Sequence, residues 1–220
     1  MHATSTISDS IYSSLKKEIL ELRFKPGEKL SETKLSRKYE VSRAPVRDAL
    51  HRLQEEGIVL VRPQIGTIVS PISLKKARDI CQIRLLLEPF SAGIAAEKIT
   101  DSQCEDLHQG FEQLINSSGD KEDIEKLVFE VDTKLHHIIW ELSENEEICS
   151  ILSGYKWQIH RIRLATAELA GRLTPSLREM QAIYEALVKK DPIEAADAMR
   201  NHILNISKAV EAFLVKQEIK

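Results

Sequence analysis

Apolar side chains first fall into register at Ile11, Leu15, Ile19 and Leu22, separated by Lys16, Lys17, Glu18 and Glu21, the spacing of one buried helical face. Asp9 or Ser10 is placed to cap this helix, and Lys25-Pro26-Gly27 ends it. Ser31 then caps a short helix, Glu32 to Tyr39, with Leu35 and Tyr39 inward. After a tight connection at Val41, Ser42 caps a third helix that runs to about Glu56. Pro45 sits in its first turn, where a missing N–H costs nothing. Val46, Leu50 and Leu53 form its apolar stripe, and Gly57 terminates it. The period then switches from helical to extended. Ile58 to Arg62 and Ile65 to Val69 are β-branched runs flanking Pro63-Gln64, which predicts a hairpin with Gly66 beside its tip.

From Ser73 onward the pattern is helix after helix. A long helix is expected over Leu74 to Lys98, with Ile80, Ile83, Leu87, Phe90 and Ile94 buried and a kink or an opened hydrogen bond at Pro89. Further helices are expected from Asp101 to about Asn116, Asp120 to about Leu142, and Asn145 to roughly Ala170. Two more run from near Ser176 to Lys190 and from Pro192 to near Lys216. Short connections between them make antiparallel neighbours in a bundle.

Composition supports a mainly α chain: only 8 glycines and 7 prolines occur in 220 residues, several of them between Pro26 and Pro71. The net charge of -3 is uneven. Residues 1–73 carry 12 Lys+Arg against 9 Asp+Glu, leaving 19 against 25 for the remainder, so the basic excess lies at the N-terminal end, where it suits a phosphate-facing module. Cys81, Cys104 and Cys149 are sparse, odd in number and never in a C-x-x-C arrangement, which speaks against a disulfide framework and for a reducing compartment. With no apolar run of membrane-spanning length and no signal-peptide pattern in Met1 to Ser10, a cytoplasmic chain is expected.

Two short helices with a brief turn, the second bearing Arg43, Arg47 and Arg52, followed by a β-ribbon, make a winged helix-turn-helix pattern. The stretch FKPGEKLSETKLSRKYEVSRAPVRDALHRLQEEGIV followed by GTIV resembles the winged-helix domain of the GntR family of bacterial transcription regulators over about residues 10–70. That resemblance implies that Ser42, Arg43, Ala44 and Arg47 face the DNA major groove, with Gln64 and Gly66 at the wing tip in the minor groove. Relatives carry Arg where this chain has Thr33, so that contact is weaker or supplied by Lys34. The residue chemistry agrees: Arg43 and Arg47 share one helical face, and Arg grips guanine O6 and N7 with two hydrogen bonds. The bland alternative, ordinary solvated arginines, would win outside such a motif.

The runs IRLLLEPFSAGIAA, VDTKLHHIIWELSENEEI and SLREMQAIYEALVKKDPIEAADAMRNHI resemble the FCD-type sensor domain of the FadR branch of that family, over about residues 73–215. The resemblance implies a bundle that dimerises and binds a small metabolite, usually a carboxylate, in many members beside a divalent metal held by one Asp and three His. Asp132 and His136, at i and i+4, stand at two of those ligand positions and His202 at a third. The fourth is Met180, a poor partner for Zn²⁺, Mn²⁺ or Ni²⁺. Three ligands can still hold an ion with an open position, the site can be weak, or His160 can substitute. His137 reads as structural. Met180 either fills the core or lines the effector site. Arg84 stands where relatives carry a cavity-facing Arg that would clamp an effector carboxylate; an ion pair with Glu88, one turn on, is the equal alternative. One of Arg161 and Arg163 can also point inward.

The expectation is therefore a mainly α protein. Residues 1–72 form a winged helix-turn-helix with a small β-hairpin wing, and residues 73–220 an antiparallel helical bundle for effector binding and dimerisation. Its expected role is that of a homodimeric repressor of operator DNA, with no membrane partner and no enzymatic activity. The alternative is a metal-dependent hydrolase using Asp132, His136 and His202.

Overall fold

The computed structural model describes residues 6–218 except 22, 72, 120 and 168–171, and gives only the backbone at 74, 121–122, 163–167 and 213–218. Leu22, Asp120 and Ala170 of the expected helices fall outside the described residues, as does the Arg163 side chain. The chain divides into two compact units, Met1–Ser73 with Lys156–Arg161, and Leu74–Tyr155 with Ile162–Lys220.

The first unit holds α1 (Ile7–Leu20), α2 (Glu32–Lys38), α3 (Arg43–Glu55), β1 (Val59–Arg62) and β2 (Gly66–Val69). Helix α1 begins one turn earlier than its apolar spacing implies. Thr6 is the cap, and Asp9 is the third residue of a capping box, its carboxylate accepting from the Thr6 N–H at 2.9 Å. Ser31 caps α2. Ser42 occupies the cap position of α3 with extended backbone, yet its hydroxyl makes no capping hydrogen bond. Gly57, at φ +69°, takes the left-handed conformation that stops α3 and turns the chain into β1. The strands pair antiparallel with Arg62 opposite Gly66, so the turn is Pro63-Gln64-Ile65, one residue longer than expected. Leu15, Ile19, Val46, Ala49, Leu53, Ile58 and Val59 form the centre of the core, with Trp157 packed against it. The Lys16 ammonium lies 3.8 Å from the Trp157 ring centre.

The second unit contains α4 (Leu74–Lys98), α5 (Asp101–Ile115), α6 (Lys121–Leu142), α7 (Glu146–Gly154), α9 (Leu173–Val188) and α10 (Pro192–Glu218). The helix expected from Asn145 breaks at Tyr155, and its second part is α8 (Lys156–Ala167), so the region holds seven helices among the described residues rather than six. Asp191 caps α10, its carboxylate accepting from the Ile193 and Glu194 N–H groups at 3.0 Å, while Pro192 fills the first helical position. Helix α10 lies along α4, closely enough that a Cβ on Gly93 would sit 3.3 Å from the Pro192 carbonyl.

Helix α4 departs from the expected pattern in what it buries. Phe90 is 57% exposed, Ile83, Leu87 and Ile94 are only half-buried, and the buried positions are Ala77, Ile80, Cys81, Arg84, Glu88, Pro89, Ser91, Ala92, Ala95 and Ala96. Small residues let α10 approach, and two charged ones turn toward the bundle interior. Among the described residues no helix is long and apolar enough to cross a membrane.

Candidate nucleic-acid interface and metal centre

On α3 the buried positions Val46, Ala49, Leu50 and Leu53 fasten one side to the core, leaving Arg43, Ala44, Arg47 and Asp48 exposed on the other. Thr33 is half-buried in the first turn of α2, and Lys34 beside it is exposed. Gln64 is exposed at the hairpin tip with φ +64°, and Gly66, at φ +96°, lets the ribbon fold back. The structure adds a partner that spacing does not reveal: Glu32 on α2 accepts from Arg47 Nε at 3.0 Å and from Nη2 at 2.9 Å. The hydrogen bond from Arg47 holds the Glu32 carboxyl below its ordinary pKa against the opposing effect of burial, and the charges of Arg47 and Arg43 add to it.

In the second unit Asp132 and His136 on α6 meet His202 on α10, all three buried, with their ligand atoms within 4.8 Å of one another. His136 Nε2 and His202 Nε2 are 3.3 Å apart, and each is 3.5 Å from Asp132 Oδ1. The other ring nitrogens point at carboxylates. His136 Nδ1 meets Glu88 of α4, and His202 Nδ1 meets Glu179 of α9 at 3.0 Å. Each carboxylate is backed in turn by an arginine: Arg84 pairs with Glu88 inside the bundle, and Arg172 grips Glu179 with two hydrogen bonds of 2.8 Å.

The electrostatics set the tautomers. Burial alone would raise the Glu88 carboxyl, but Arg84 and His136 outweigh it and keep it ionised. Glu179 behaves alike: burial raises it, and the hydrogen bonds from His202 and Arg172 bring it down to about 2. An ionised carboxylate only accepts, so each histidine donates from Nδ1 and turns its Nε2 toward Asp132 Oδ1. Nε2 of His136, Nε2 of His202 and Asp132 Oδ1 face one another closely enough to share one cation, a proton or a metal ion. A tetrahedral ion with bonds of about 2.0–2.1 Å places neighbouring ligand atoms about 3.4 Å apart, and the three separations match.

Met180 is fully buried on α9, next to Glu179. Arg84 is 1% exposed and engaged by Glu88. His137 is exposed near Glu141, His160 lies in the segment grouped with the first unit, and Arg161, buried in that segment, donates to the Ser70 carbonyl of the same unit. Trp140 packs one turn from His136, ring centres 6.1 Å apart. Spacing alone missed Glu179, Arg172 and Glu32; Glu88 was visible only as the i+4 neighbour of Arg84.

A winged helix with an outward recognition helix, in one chain with an all-α bundle holding a His/Asp cluster, defines a DNA-binding regulator with a sensor domain. Residues 7–69 match the family described as bacterial regulatory proteins, gntR family, and residues 79–205 match the FCD domain. The chain belongs to the gntR family, in its FadR-type branch that carries an FCD domain, and is a transcription regulator rather than an enzyme; nothing in the family supports the hydrolase alternative.

It is 30% identical to the HTH-type transcriptional repressor RspR of Escherichia coli strain K12 over 99% of this chain and 94% of that protein. It is also 30% identical to the repressor NanR of Enterobacter sp. strain 638, over 96% and 88% of the two chains. Solved structures share the fold. A GntR regulator from Rhodococcus sp. RHA1 matches with TM-score 0.73 at 19% identity over 93% of this chain and 97% of that one. McbR/YncC of E. coli matches with TM-score 0.70 at 20% identity over 97% and 99%.

Proposed function

We propose that the protein is a cytoplasmic, homodimeric repressor whose grip on operator DNA is set by a small metabolite, a carboxylate, bound in the helical unit beside a divalent metal ion. The observation that carries the sensing part is the convergence of His136 Nε2, His202 Nε2 and Asp132 Oδ1. Asp132, His136 and His202 would hold Zn²⁺, Mn²⁺ or Ni²⁺, with Met180 taking the place of a fourth ligand and leaving a position open. When bound, such an ion supplies positive charge to an anionic effector. The cations nearest the cluster are already neutralised, Arg84 by Glu88 and Arg172 by Glu179, so Arg84 serves the site by holding Glu88 rather than by clamping the effector.

At the other end, Ser42, Arg43, Ala44 and Arg47 enter the major groove, Thr33 and Lys34 flank it, and Gln64 and Gly66 reach the minor groove. The uncapped start of α3 supports this, because its N–H groups and the Ser42 hydroxyl remain available to a phosphate. Two copies are needed to present two recognition helices about one DNA turn apart. Effector binding acts on transcription by favouring one arrangement of the dimer.

The test is a calorimetric titration of Zn²⁺, Mn²⁺ and Ni²⁺ into metal-stripped protein, alongside gel shifts on a DNA site that the protein selects from a random pool. One ion per chain, lost in His202→Ala and Asp132→Ala, is expected. A stoichiometry unaffected by either substitution rejects the metal centre, and an Arg47→Ala variant with undiminished affinity for the selected site rejects the recognition face.

A further inference from the structure

We infer that Glu32 is a specificity-determining residue that positions the Arg47 guanidinium for base reading, an inference that rests on the DNA-binding reading above. Glu32 takes the Nε and Nη2 edge of Arg47 in a parallel fork, at 3.0 and 2.9 Å. An arginine has five N–H groups, and this fork uses two of them. The Nη1 pair and the outer Nη2 hydrogen stay free on the opposite edge, and the Arg47 side chain is 70% exposed. That free edge is the one that meets guanine O6 and N7 side by side. One guanidinium can therefore be held by Glu32 and grip a base at the same time.

The carboxylate is placed where its charge is otherwise unhelpful. Glu32 lies in the first turn of α2 between Thr33, Lys34 and the two arginines, on the side that faces phosphates in this reading, so it opposes non-specific attraction. An exposed ion pair adds little to folding stability. What it does is fasten a long, rotamer-rich side chain of α3 to a second helix that is itself capped by Ser31. An Arg47 without that tether would spread over many rotamers and reach phosphates as readily as bases, and would give up on binding the freedom that the tether has already removed. Glu32 thus lowers affinity for any DNA while raising discrimination between sequences.

The experiment uses the full chain and the DNA site that wild-type protein selects from a random pool. Dissociation constants are measured for that site and for random duplex with wild type, Glu32→Gln, Glu32→Ala, Arg47→Ala and the double variant Glu32→Gln/Arg47→Ala. Thermal midpoints are followed in parallel. The ratio of random to selected-site constants is expected to fall about three- to tenfold in both Glu32 variants with unchanged midpoints, and random-duplex binding to tighten. In the Arg47→Ala background, Glu32→Gln is expected to leave the ratio where it is. A ratio that is unchanged or higher in Glu32→Gln and Glu32→Ala overturns the inference; the pair is then a bystander or a clamp that DNA must break. Failure of wild type to select any site instead brings down the DNA-binding reading, and this inference with it.

Discussion

Arg47 and Arg84 are the same residue type in opposite surroundings, and each is defined by its glutamate. Arg47 is held in the open by Glu32, and Arg84 is sealed inside the bundle with Glu88. Removing the charge of Glu88 leaves a buried guanidinium without its counter-ion, so Glu88→Gln is expected to cost about 3–5 kcal/mol of unfolding free energy in urea titration. Replacing both partners together, as Arg84→Met/Glu88→Leu, should cost less, the remainder being the lost acceptor of the His136 Nδ1. A double-variant loss equal to the sum of the two single losses would show that the pair is not energetically coupled. Of the two readings of Arg84, the effector clamp came from the family resemblance and the Glu88 contact from i,i+4 spacing, since a helix alone places those side chains together. The contacts from His136 to Glu88 and from His202 to Glu179 were not legible, since the partners sit on different helices 48 and 23 residues apart in sequence. Asp132, His136 and His202 were named through a family resemblance, and the geometry does bring those three together.

At the scale of elements, the start of α1 shows how a cap overrides an apolar count. The Asp9 carboxyl is lowered from 3.8 to about 2, first by the Thr6 hydroxyl, then by the Thr6 N–H and Arg52. A folded pKa below the unfolded one stabilises fully above the unfolded value and is lost as pH falls through the folded one. The thermal midpoint is therefore expected to drop between about pH 4 and pH 2, and Asp9→Asn to remove part of that drop; identical slopes for the two proteins would exclude the capping box as a source. Helix existence was readable from periodicity throughout. Boundaries were not, and neither was the break at Tyr155, where no proline marks the interruption and Gly154 alone was too weak a signal. Phe90 was assigned inward because large apolar residues usually are, but α4 reserves its inner side for alanines that admit α10 and for the Arg84–Glu88 pair.

For the molecule as a whole, the outward residues of α4 and α10 matter. Leu86 and Phe90, one turn apart on α4, are 76% and 57% exposed, and Ile193, at 76%, follows the Pro192 that abuts Gly93. Exposed large apolar side chains of this kind mark an association surface, and a second copy would cover them in the dimer proposed above. Leu86→Glu/Phe90→Glu is expected to sediment as a monomer and to bind the selected DNA site at least tenfold more weakly; a dimer of undiminished mass would place the interface elsewhere. The two tryptophans, Trp140 and Trp157, fall one to each unit, the first beside His136 and the second beneath Lys16. The protein thus carries a separate native fluorophore for each of its tasks. With Trp157→Phe, emission from Trp140 should follow zinc titration; with Trp140→Phe, the remaining signal should ignore the ion and answer instead to changes around the DNA-reading helices, so that sensing and response can be timed against each other without any added dye.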